Sequence, residues 1–318
     1  MKNPCNFKRI TFVNKASKFK NVNAYIKNNI WLYAMMLPGI IALILFTYIP
    51  MYGIIIAFQD FNVFDGYFGS EWVGLQHFKT LFSDPYFFRL IRNTFLLGTT
   101  SFLLTFPAPI ILAIIINECR LSRFKRVVQS LSYLPHFIPM VVMVGIMFEL
   151  FGTYGIVNNV LSFFGIDSIS FFSQPEWFYP LYIGSAIWKG IGWGSIIYIG
   201  VLTSIDTSLY EAAEVDGANR WHKIIYITLP ALKSTIVTLF ILDIGGVMKV
   251  GFEKVFLMYS PATYEVADVL STYVYRQGII NANFSYSAAV DLFNNVIAII
   301  LVLVANWFSK KLGEEGIV

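Results

Sequence analysis

Long apolar runs separated by shorter polar segments dominate the chain. Six of the runs have the length of a membrane span: about Trp31–Phe58, Thr94–Ile116, Val127–Phe151, Leu181–Leu202, Ser234–Met258 and Val290–Phe308. An α-helix needs about 20 residues at ~1.5 Å each to cross ~30 Å of hydrocarbon. The pattern therefore predicts an all-α, polytopic membrane protein with six transmembrane helices, of which the fifth is interrupted by Asp243 and Lys249.

The distribution of basic residues predicts the orientation of these helices. Sixteen of the 23 Lys and Arg residues precede the first run, lie between the second and third or the fourth and fifth, or follow the sixth. Short loops rich in Lys and Arg stay in the cytoplasm. We therefore expect both termini to be cytoplasmic, with a basic segment, 1–30, ahead of a transmembrane domain, 31–318.

Composition narrows the functional classes. Hydrophobic residues make up 57% of the chain and the mean hydropathy is +0.64, beyond the range of ordinary soluble domains. A net charge of +4 gives no indication of a nucleic-acid partner. Neither Cys5 nor Cys119 has the spacing of metal ligands, and the three histidines are far apart in sequence. We therefore predict no catalytic residue, metal or cofactor in this chain.

One compact polar segment stands out between the fourth and fifth runs. Residues 210–230 read YEAAEVDGANRWHKIIYITLP. Ser208 and Glu211 have the spacing of a capping box at the start of a helix. Gly217 suits the left-handed residue that ends one. The pattern predicts a short helix that stops at this glycine.

A second short helix should follow. Asn219 is a good N-cap for a helix from Arg220 to about Thr228, and Pro230 can then begin the fifth span. The segment is therefore expected to be two short helices joined at a glycine hinge. Residue chemistry alone leaves two interpretations open: a well-capped, solvated connector, or a surface on which Ala212 and Ala213 let another protein approach closely.

The same segment resembles the EAA motif of binding-protein-dependent ABC importer permeases. The matching positions, all at the motif's spacing, are Glu211-Ala212-Ala213, Gly217, Ile227 and Leu229-Pro230. The flanking residues 188–205 and 72–85 resemble the sugar branch of the family. The tail, residues 255–318, resembles the LplB-type polysaccharide permeases. The resemblance covers nearly all of the chain after Trp31. It implies a type I importer (MetI-like) permease fold, with a core at about 90–310 and coupling helices at 206–230.

The resemblance also implies partners. In this family the EAA loop docks on a cytoplasmic ATPase, which here would involve Glu211, Ala212, Ala213, Asp216, Gly217, Leu229 and Pro230. The chain has no GxxxxGK[ST] phosphate-binding loop, so ATP and Mg would be held by the ATPase. The other implied partners are a second, homologous permease in a heterodimer, two ATPase subunits, and an extracellular solute-binding protein received by outer loops, chiefly 152–180 and 259–289.

The implied function is ATP-driven uptake of an oligosaccharide or polysaccharide fragment across the bacterial cytoplasmic membrane. Three other functions stay open at this point. The chain could be a permease of the same family for a non-sugar solute, an ion-coupled secondary transporter, or an integral membrane enzyme. The sugar-type flanks argue against the first, and the lack of a reactive cluster argues against the third.

Ionisable residues within the spans are candidates for a substrate pathway, because such charges are costly and usually face the bundle or water. The ionisable candidates are Lys189, Asp243, Glu149, Lys249 and Asp291. Trp188 and Trp193, the aromatic residues near Lys189, are added to them. Lys189 beside Trp188 suits a glycan, since an aromatic ring can stack on a sugar next to a cationic donor. Lys189 could instead snorkel or pair with Asp243. Gly190 and Gly194 form a GxxxG pattern that favours close helix packing.

Overall fold

The structure is a computed structural model that describes Tyr25 and residues 28–119, 121–248 and 250–311. Most of the basic segment 1–30, and Lys249, lie outside these described residues. The chain divides into two compact units, one ending at Ile55 and the other beginning at Ile56, and each is described by itself.

The first unit is a nearly continuous helix. It comprises α1 (Ile30–Leu43), a π-helical turn (Ile44–Tyr48) and α2 (Ile49–Met51), and it leads into a 3-10 helix (Tyr52–Phe58). The π turn precedes Pro50, whose ring would clash with the carbonyl four residues back in a regular α-helix. The N–H of Ile49 donates to the carbonyl of Ile44, five residues back, so the wider turn lets the helix continue.

A small lobe opens the second unit. It contains β1 (Gln59–Asp60), α3 (Gly66–Gly69), β2 (Glu71–Trp72) and α4 (Gln76–Ser83), and the two strands pair antiparallel. The N–H of Phe61 donates to Ser285 Oγ at 2.8 Å. Phe82 packs edge to face against Phe87 and Phe293. These contacts fix the lobe on the helices that follow.

Long helices then pack along a central one. They are α5 (Pro85–Thr105), α6 (Pro107–Glu118), α7 (Ser122–Tyr133), a 3-10 turn (Leu134–Phe137), α8 (Met140–Phe151), α9 (Ile156–Phe163) and the central α10 (Pro175–Thr203). Helices α6 and α7 pack along α10.

Glycines allow these helices to approach closely. A Cβ on Gly192 would lie 2.0 Å from the carbonyl oxygen of Ser132, and a Cβ on Gly194 would lie 2.8 Å from Pro109 Cγ. Gly190 has no neighbour within 4 Å of that position. Close packing is therefore found at Gly194 but not at Gly190, and Gly192 supplies the tighter contact.

The remaining elements surround the fifth and sixth spans. They are α11 (Thr207–Val215), α12 (Arg220–Lys223), a π turn (Ile224–Thr228), α13 (Leu229–Ile244), α14 (Phe252–Met258), a 3-10 turn (Pro261–Thr263), α15 (Tyr264–Ala267), α16 (Leu270–Tyr275), a π turn (Arg276–Ile280) and α17 (Phe284–Lys311).

Six helices in the described part of the chain are long and apolar enough to cross a membrane: Ile30–Phe58, Pro85–Glu118, Met140–Phe163, Pro175–Thr203, Arg220–Ile244 and Phe284–Trp307. The predicted all-α, six-helix architecture is confirmed. The bounds of two spans are wrong. The third does not begin at Val127, which lies in α7, separated from α8 by the turn at Pro135 and extended backbone at Pro139. The fifth does not run from Ser234 to Met258. Its helix spans Arg220–Ile244 and is broken after Ile244.

A buried ion pair fixes the segment between the fifth and sixth spans. Arg276 Nη2 lies 2.5 Å from Oδ2 of Asp268, whose side chain is fully buried. Thr272 Oγ1 donates to Asp268 Oδ1 at 2.8 Å, and the Tyr86 hydroxyl donates to the other carboxylate oxygen. Asn93 Nδ2 donates to the carbonyl of Asp268 at 3.0 Å. These bonds attach the segment to α5, and the carboxylate is fully hydrogen-bonded, as a buried charge requires.

Candidate functional site

The polar segment after α10 folds into the two predicted helices, but its first cap differs. Helix α11 begins at Thr207, and the Asp206 carboxylate accepts the Ser208 N–H at 2.9 Å. The predicted capping box of Ser208 and Glu211 is therefore wrong. A carboxylate is favoured at the positive end of a helix. The same bond holds the pKa of Asp206 below its usual range.

The glycine hinge and the second cap are confirmed. Gly217 has a φ of +77°, in the left-handed region that favours glycine. The N–H of Ala218 reaches back to the carbonyl of Ala213 at 2.8 Å, as in a Schellman motif. Asn219 Oδ1 then accepts the N–H of His222 at 2.9 Å and caps the second helix.

Pro230 does not begin a new helix. The N–H of Leu229 donates to the carbonyl of Ile224, five residues back, so a π turn makes room for the proline ring. Helix α12, this turn and α13 are one continuous helix from Arg220 to Ile244. A displacement of the polar segment would therefore pass directly into the fifth span.

Two side-chain contacts, which we call the clips, join the helices of this segment. Lys223 Nζ lies 2.6 Å from Glu214 Oε1. The Tyr210 hydroxyl lies 3.0 Å from Thr228 Oγ1, and Thr228 is fully buried. The clips restrain α11 against the start of the fifth span.

The other face of α11 is open to solvent. Glu211, Ala212 and Val215 are exposed, Val215 to 89%. Their spacing of three and four residues places them in one stripe. Asp216 and Gly217 are exposed beside it. We call these five residues the docking stripe. A valine and an alanine held in water beside carboxylates suit contact with another protein.

A cavity of about 440 Å³ lies between α5, α6, α10 and α13. Its polar side chains are Ser101, Thr105, Tyr182, Tyr198 and Asp243. Asp243 of α13 and Tyr198 of α10 both line it. Hydroxyl groups and a carboxylate can donate to and accept from the hydroxyls of a sugar.

One wall of this cavity is a break in a helix. Helix α13 ends at Ile244 and α14 begins at Phe252, and the cavity lining between them includes Gly246, Val247, Val250 and Gly251. A Cβ on Gly98 of α5 would lie 1.9 Å from the carbonyl oxygen of Val247, so backbone meets backbone there. Non-helical backbone at membrane depth is tolerated where it is buried in protein or lines a water-filled cavity.

Side chains from other helices hold the break in place. Asn294 Nδ2 of α17 donates to the carbonyl of Met248 at 3.2 Å. Ser271 Oγ of α16 donates to the carbonyl of Val250 at 3.2 Å. Carbonyls that the broken helix leaves free are thereby satisfied, and the wall has a defined shape.

Lys189 and Trp193 lie at a turn rather than in this cavity. Lys189 Nζ donates to the carbonyls of His136, at 3.0 Å, and Ile138. Within the described residues it forms no ion pair with Asp243, and its ammonium stabilises the end of the 3-10 turn. Trp193 stacks on the His136 ring with centroids 4.5 Å apart and planes inclined by 4°.

The other predicted pathway residues are scattered. Trp188 lines a second cavity, of about 300 Å³, between α8 and α10. Glu149 is exposed in the last turn of α8. The Asp291 carboxylate accepts the amide of Asn295 at 3.0 Å and lines a cavity of about 420 Å³. Lys249 lies outside the described residues. Among the predicted ionisable residues, Asp243 lies in the lining of the 440 Å³ cavity.

Sequence reasoning missed the hydroxyl-bearing lining of that cavity. Ser101 and Thr105 lie on α5 and Tyr182 and Tyr198 on α10, so no spacing within one helix joins all four. The glycines that follow Asp243 could have indicated the cavity, because glycine inside a span favours a break in the helix or a close backbone approach.

A bundle of apolar helices with a polar cavity inside and an open docking stripe at one end defines a membrane transport subunit. Residues 107–314 match the family described as "Binding-protein-dependent transport system inner membrane component". The chain belongs to this family. It is therefore an ABC transporter permease, a multi-pass protein of the bacterial membrane, and the predicted family is confirmed.

Individual relatives agree. The chain is 48% identical over 288 residues to the polygalacturonan/rhamnogalacturonan transport system permease protein YteP of Bacillus subtilis (strain 168), covering 90% of each chain. It is 43% identical over 295 residues to Protein LplB of the same organism, covering 92% of this chain and 93% of LplB.

A solved structure has the same fold. It is described as a bacterial alginate ABC transporter in complex with alginate pentasaccharide-bound periplasmic protein, and one of its chains is 43% identical to this one with a TM-score of 0.85. The match covers 92% of this chain and 99% of that chain. The predicted MetI-like permease fold is confirmed.

Proposed function

We propose that the chain is one of two membrane subunits of an ATP-driven importer that takes up an oligosaccharide or polysaccharide fragment. The observation that carries the proposal is the docking stripe, held on a clipped two-helix segment that continues as the fifth span. Two similar proteins support the substrate class, since one is named for polygalacturonan and rhamnogalacturonan and the other belongs to an alginate transporter.

The docking stripe receives an ATPase subunit on the cytoplasmic side, where both chain termini also lie. Glu211 and Asp216 offer acceptors to it, and Ala212 permits close approach. Gly217 sets the angle between the two helices. Leu229 and Pro230 are exposed at the start of α13, where the π turn passes motion on to the fifth span. ATP and Mg are bound and ATP is split in the ATPase subunits, of which there are two.

The sugar passes through the cavity beside Asp243, whose carboxylate accepts hydrogen bonds from sugar hydroxyls. A second, homologous permease completes the pathway as a heterodimer. An extracellular solute-binding protein delivers the sugar to the loops 152–180 and 259–289. The fixed attachment of the second loop to α5 through Asp268 and Asn93 supports such a role, because a pre-ordered surface loses less entropy on binding.

Co-purification of the complex tests the proposal. Glu211→Arg reverses the charge in the docking stripe. Gly217→Pro places a proline where the backbone has a left-handed conformation that proline cannot adopt. We expect both variants to lose the ATPase subunits and glycan uptake. Asp65→Arg, an equal charge reversal at an exposed residue of the lobe, should retain both.

Energy coupling separates the remaining alternatives. Uptake by the proposed importer stops when ATP is depleted and persists when ion gradients are collapsed. The opposite result would identify an ion-coupled secondary transporter. Retained uptake in both Glu211→Arg and Gly217→Pro would refute the coupling role. Uptake of amino acids or peptides without any glycan would place the chain with the non-sugar permeases.

A further inference from the structure

The chain connection between α11 and the fifth span passes through a residue that can change its backbone conformation easily. This residue is Gly217, where a Cβ would meet no other atom within 4 Å. Glycine adopts a wider range of backbone conformations than any other residue. Rotation at Gly217 could therefore absorb a displacement of α11, unless a second connection ties α11 to the span.

The two clips supply such a connection, and they differ in strength. In the ion pair of Lys223 with Glu214, the Glu214 side chain is 60% exposed, and exposed pairs contribute little and weaken with salt. In the other clip, the Tyr210 hydroxyl lies 3.0 Å from Oγ1 of Thr228, which is fully buried. A hydrogen bond is stronger in the protein interior than in water, so the hydroxyl pair is the firmer of the two ties.

The hydroxyl pair joins the docking stripe to the π turn of the fifth span. Thr228 is the last residue of that turn, and its Oγ1 also lies 3.4 Å from the carbonyl oxygen of Lys223 at the turn's start. Tyr210 directly precedes Glu211, the first residue of the docking stripe. The half-buried Tyr210 side chain reaches the fifth span while that of Glu211 is exposed, so neighbouring residues of α11 face the solvent and the span.

We propose that the hydroxyl pair of Tyr210 and Thr228 is the contact that couples α11 to the fifth span, which makes both of them positioning residues for transport. A partner can shift a conformational equilibrium only through contacts that differ between the two states. The pair is such a contact, because it holds α11 against the π turn. Without it, Gly217 takes up the displacement of the docking stripe while ATP hydrolysis continues. The inference rests on the proposed function, because it names residues that transmit the movement of the ATPase.

The amount of glycan imported per ATP hydrolysed tests this role. The complete importer is reconstituted in proteoliposomes with its binding protein, and uptake of a labelled short oligogalacturonate is measured beside ATP hydrolysis. Tyr210→Phe and Thr228→Val each remove one hydroxyl at nearly unchanged shape, and the double variant removes both. Thr228→Ser keeps the hydroxyl and should restore the wild-type ratio. A lower yield of folded importer would reduce both rates alike and leave the ratio unchanged.

Two matched controls make the same chemical changes elsewhere. Tyr48→Phe removes an exposed hydroxyl at the π turn of the first unit. Thr238→Val removes a hydroxyl that donates to the carbonyl of Ser234, in the same helix, at 2.9 Å. Neither change touches the hydroxyl pair, so both variants should keep the wild-type ratio.

We expect Tyr210→Phe and Thr228→Val each to lower import per ATP hydrolysed about tenfold, the order of effect of one buried hydrogen bond, while the ATPase subunits still co-purify. The double variant should be no worse than either single variant, because both changes remove the same bond. An unchanged ratio in the single variants overturns the proposal, as do additive losses in the double variant or loss of the bound ATPase subunits.

Tyr210→Phe decides the matter alone if Thr228→Val does not reach the membrane, because Tyr210 is only half-buried. A wild-type ratio in Tyr210→Phe then overturns the proposal. A wild-type importer that binds no ATPase subunits, or imports no oligogalacturonate while ATP is hydrolysed, would instead count against the proposed function, so the two failures are distinguishable.

Discussion

The polar segment after α10 and the cavity inside the bundle are stabilised in different ways. The segment is contiguous, capped by its own residues and exposed, and its clips join positions at most eighteen residues apart. The cavity is assembled from four helices and a break, held by contacts such as Asn294 to Met248 that cross the bundle. The difference implies that changes in the segment should damage function with little loss of stability, whereas changes around the cavity should unfold the protein.

Arg276→Met should give the largest loss of stability. It leaves the fully buried carboxylate of Asp268 without its cation, which typically costs about 3–5 kcal/mol. The free energy of unfolding of the purified complex in denaturant measures this. A loss similar to that of a surface substitution would show that the attachment to α5 does not stabilise the fold.

Gly98→Ala should come next. The new Cβ would lie 1.9 Å from the carbonyl oxygen of Val247, so the break must shift, at about 1–3 kcal/mol. The matched control is Gly145→Ala, where nothing lies within 4 Å of the added carbon. Thermal unfolding of the two variants side by side should separate them, and equal melting temperatures would mean that the tight crossing at the cavity is not required.

Gly217→Ala should separate function from stability. A residue with a side chain at φ +77° costs about 1 kcal/mol, borne by one exposed turn. We expect a small fall in stability but a larger fall in ATP-dependent uptake, because the angle between α11 and the fifth span changes. Gly200→Ala, an open position on α10, should leave both unchanged. A proportionate fall in both quantities would count against a hinge role.

The smallest effect is expected at the exposed clip. Lys223→Met removes the ion pair with Glu214, whose side chain is 60% exposed. Exposed pairs contribute about 0.2–1 kcal/mol and weaken with salt. Stability measured at low and high salt should differ more in the wild type than in the variant. A loss as large as that in Arg276→Met would erase the contrast between the two regions.

The contrast also explains what the sequence could predict. Gly217 and Asn219 act within one turn of their own positions, so their roles follow from local residue types. Even so, Asp206 rather than Ser208 takes the first cap, since two acceptors competed within one turn. Lys189 and Lys254 find their partners on other helices, at His136 and Tyr182, and no local pattern encodes such pairings. The break after Ile244 was signalled only by glycines and charges near Asp243.

The central claim is that the docking stripe receives the ATPase. Its most direct test is the labelling of Ala212→Cys with a membrane-impermeant maleimide, in a chain that also carries Cys5→Ser and Cys119→Ser. Ala262→Cys serves as the control, because Ala262 is exposed in the 3-10 turn Pro261–Thr263, which packs against α10.

We predict that Ala212→Cys is labelled in the permease without ATPase subunits and becomes protected when they are added, while Ala262→Cys is labelled equally in both. Labelling of Ala212→Cys at the same rate with bound ATPase subunits would contradict the account.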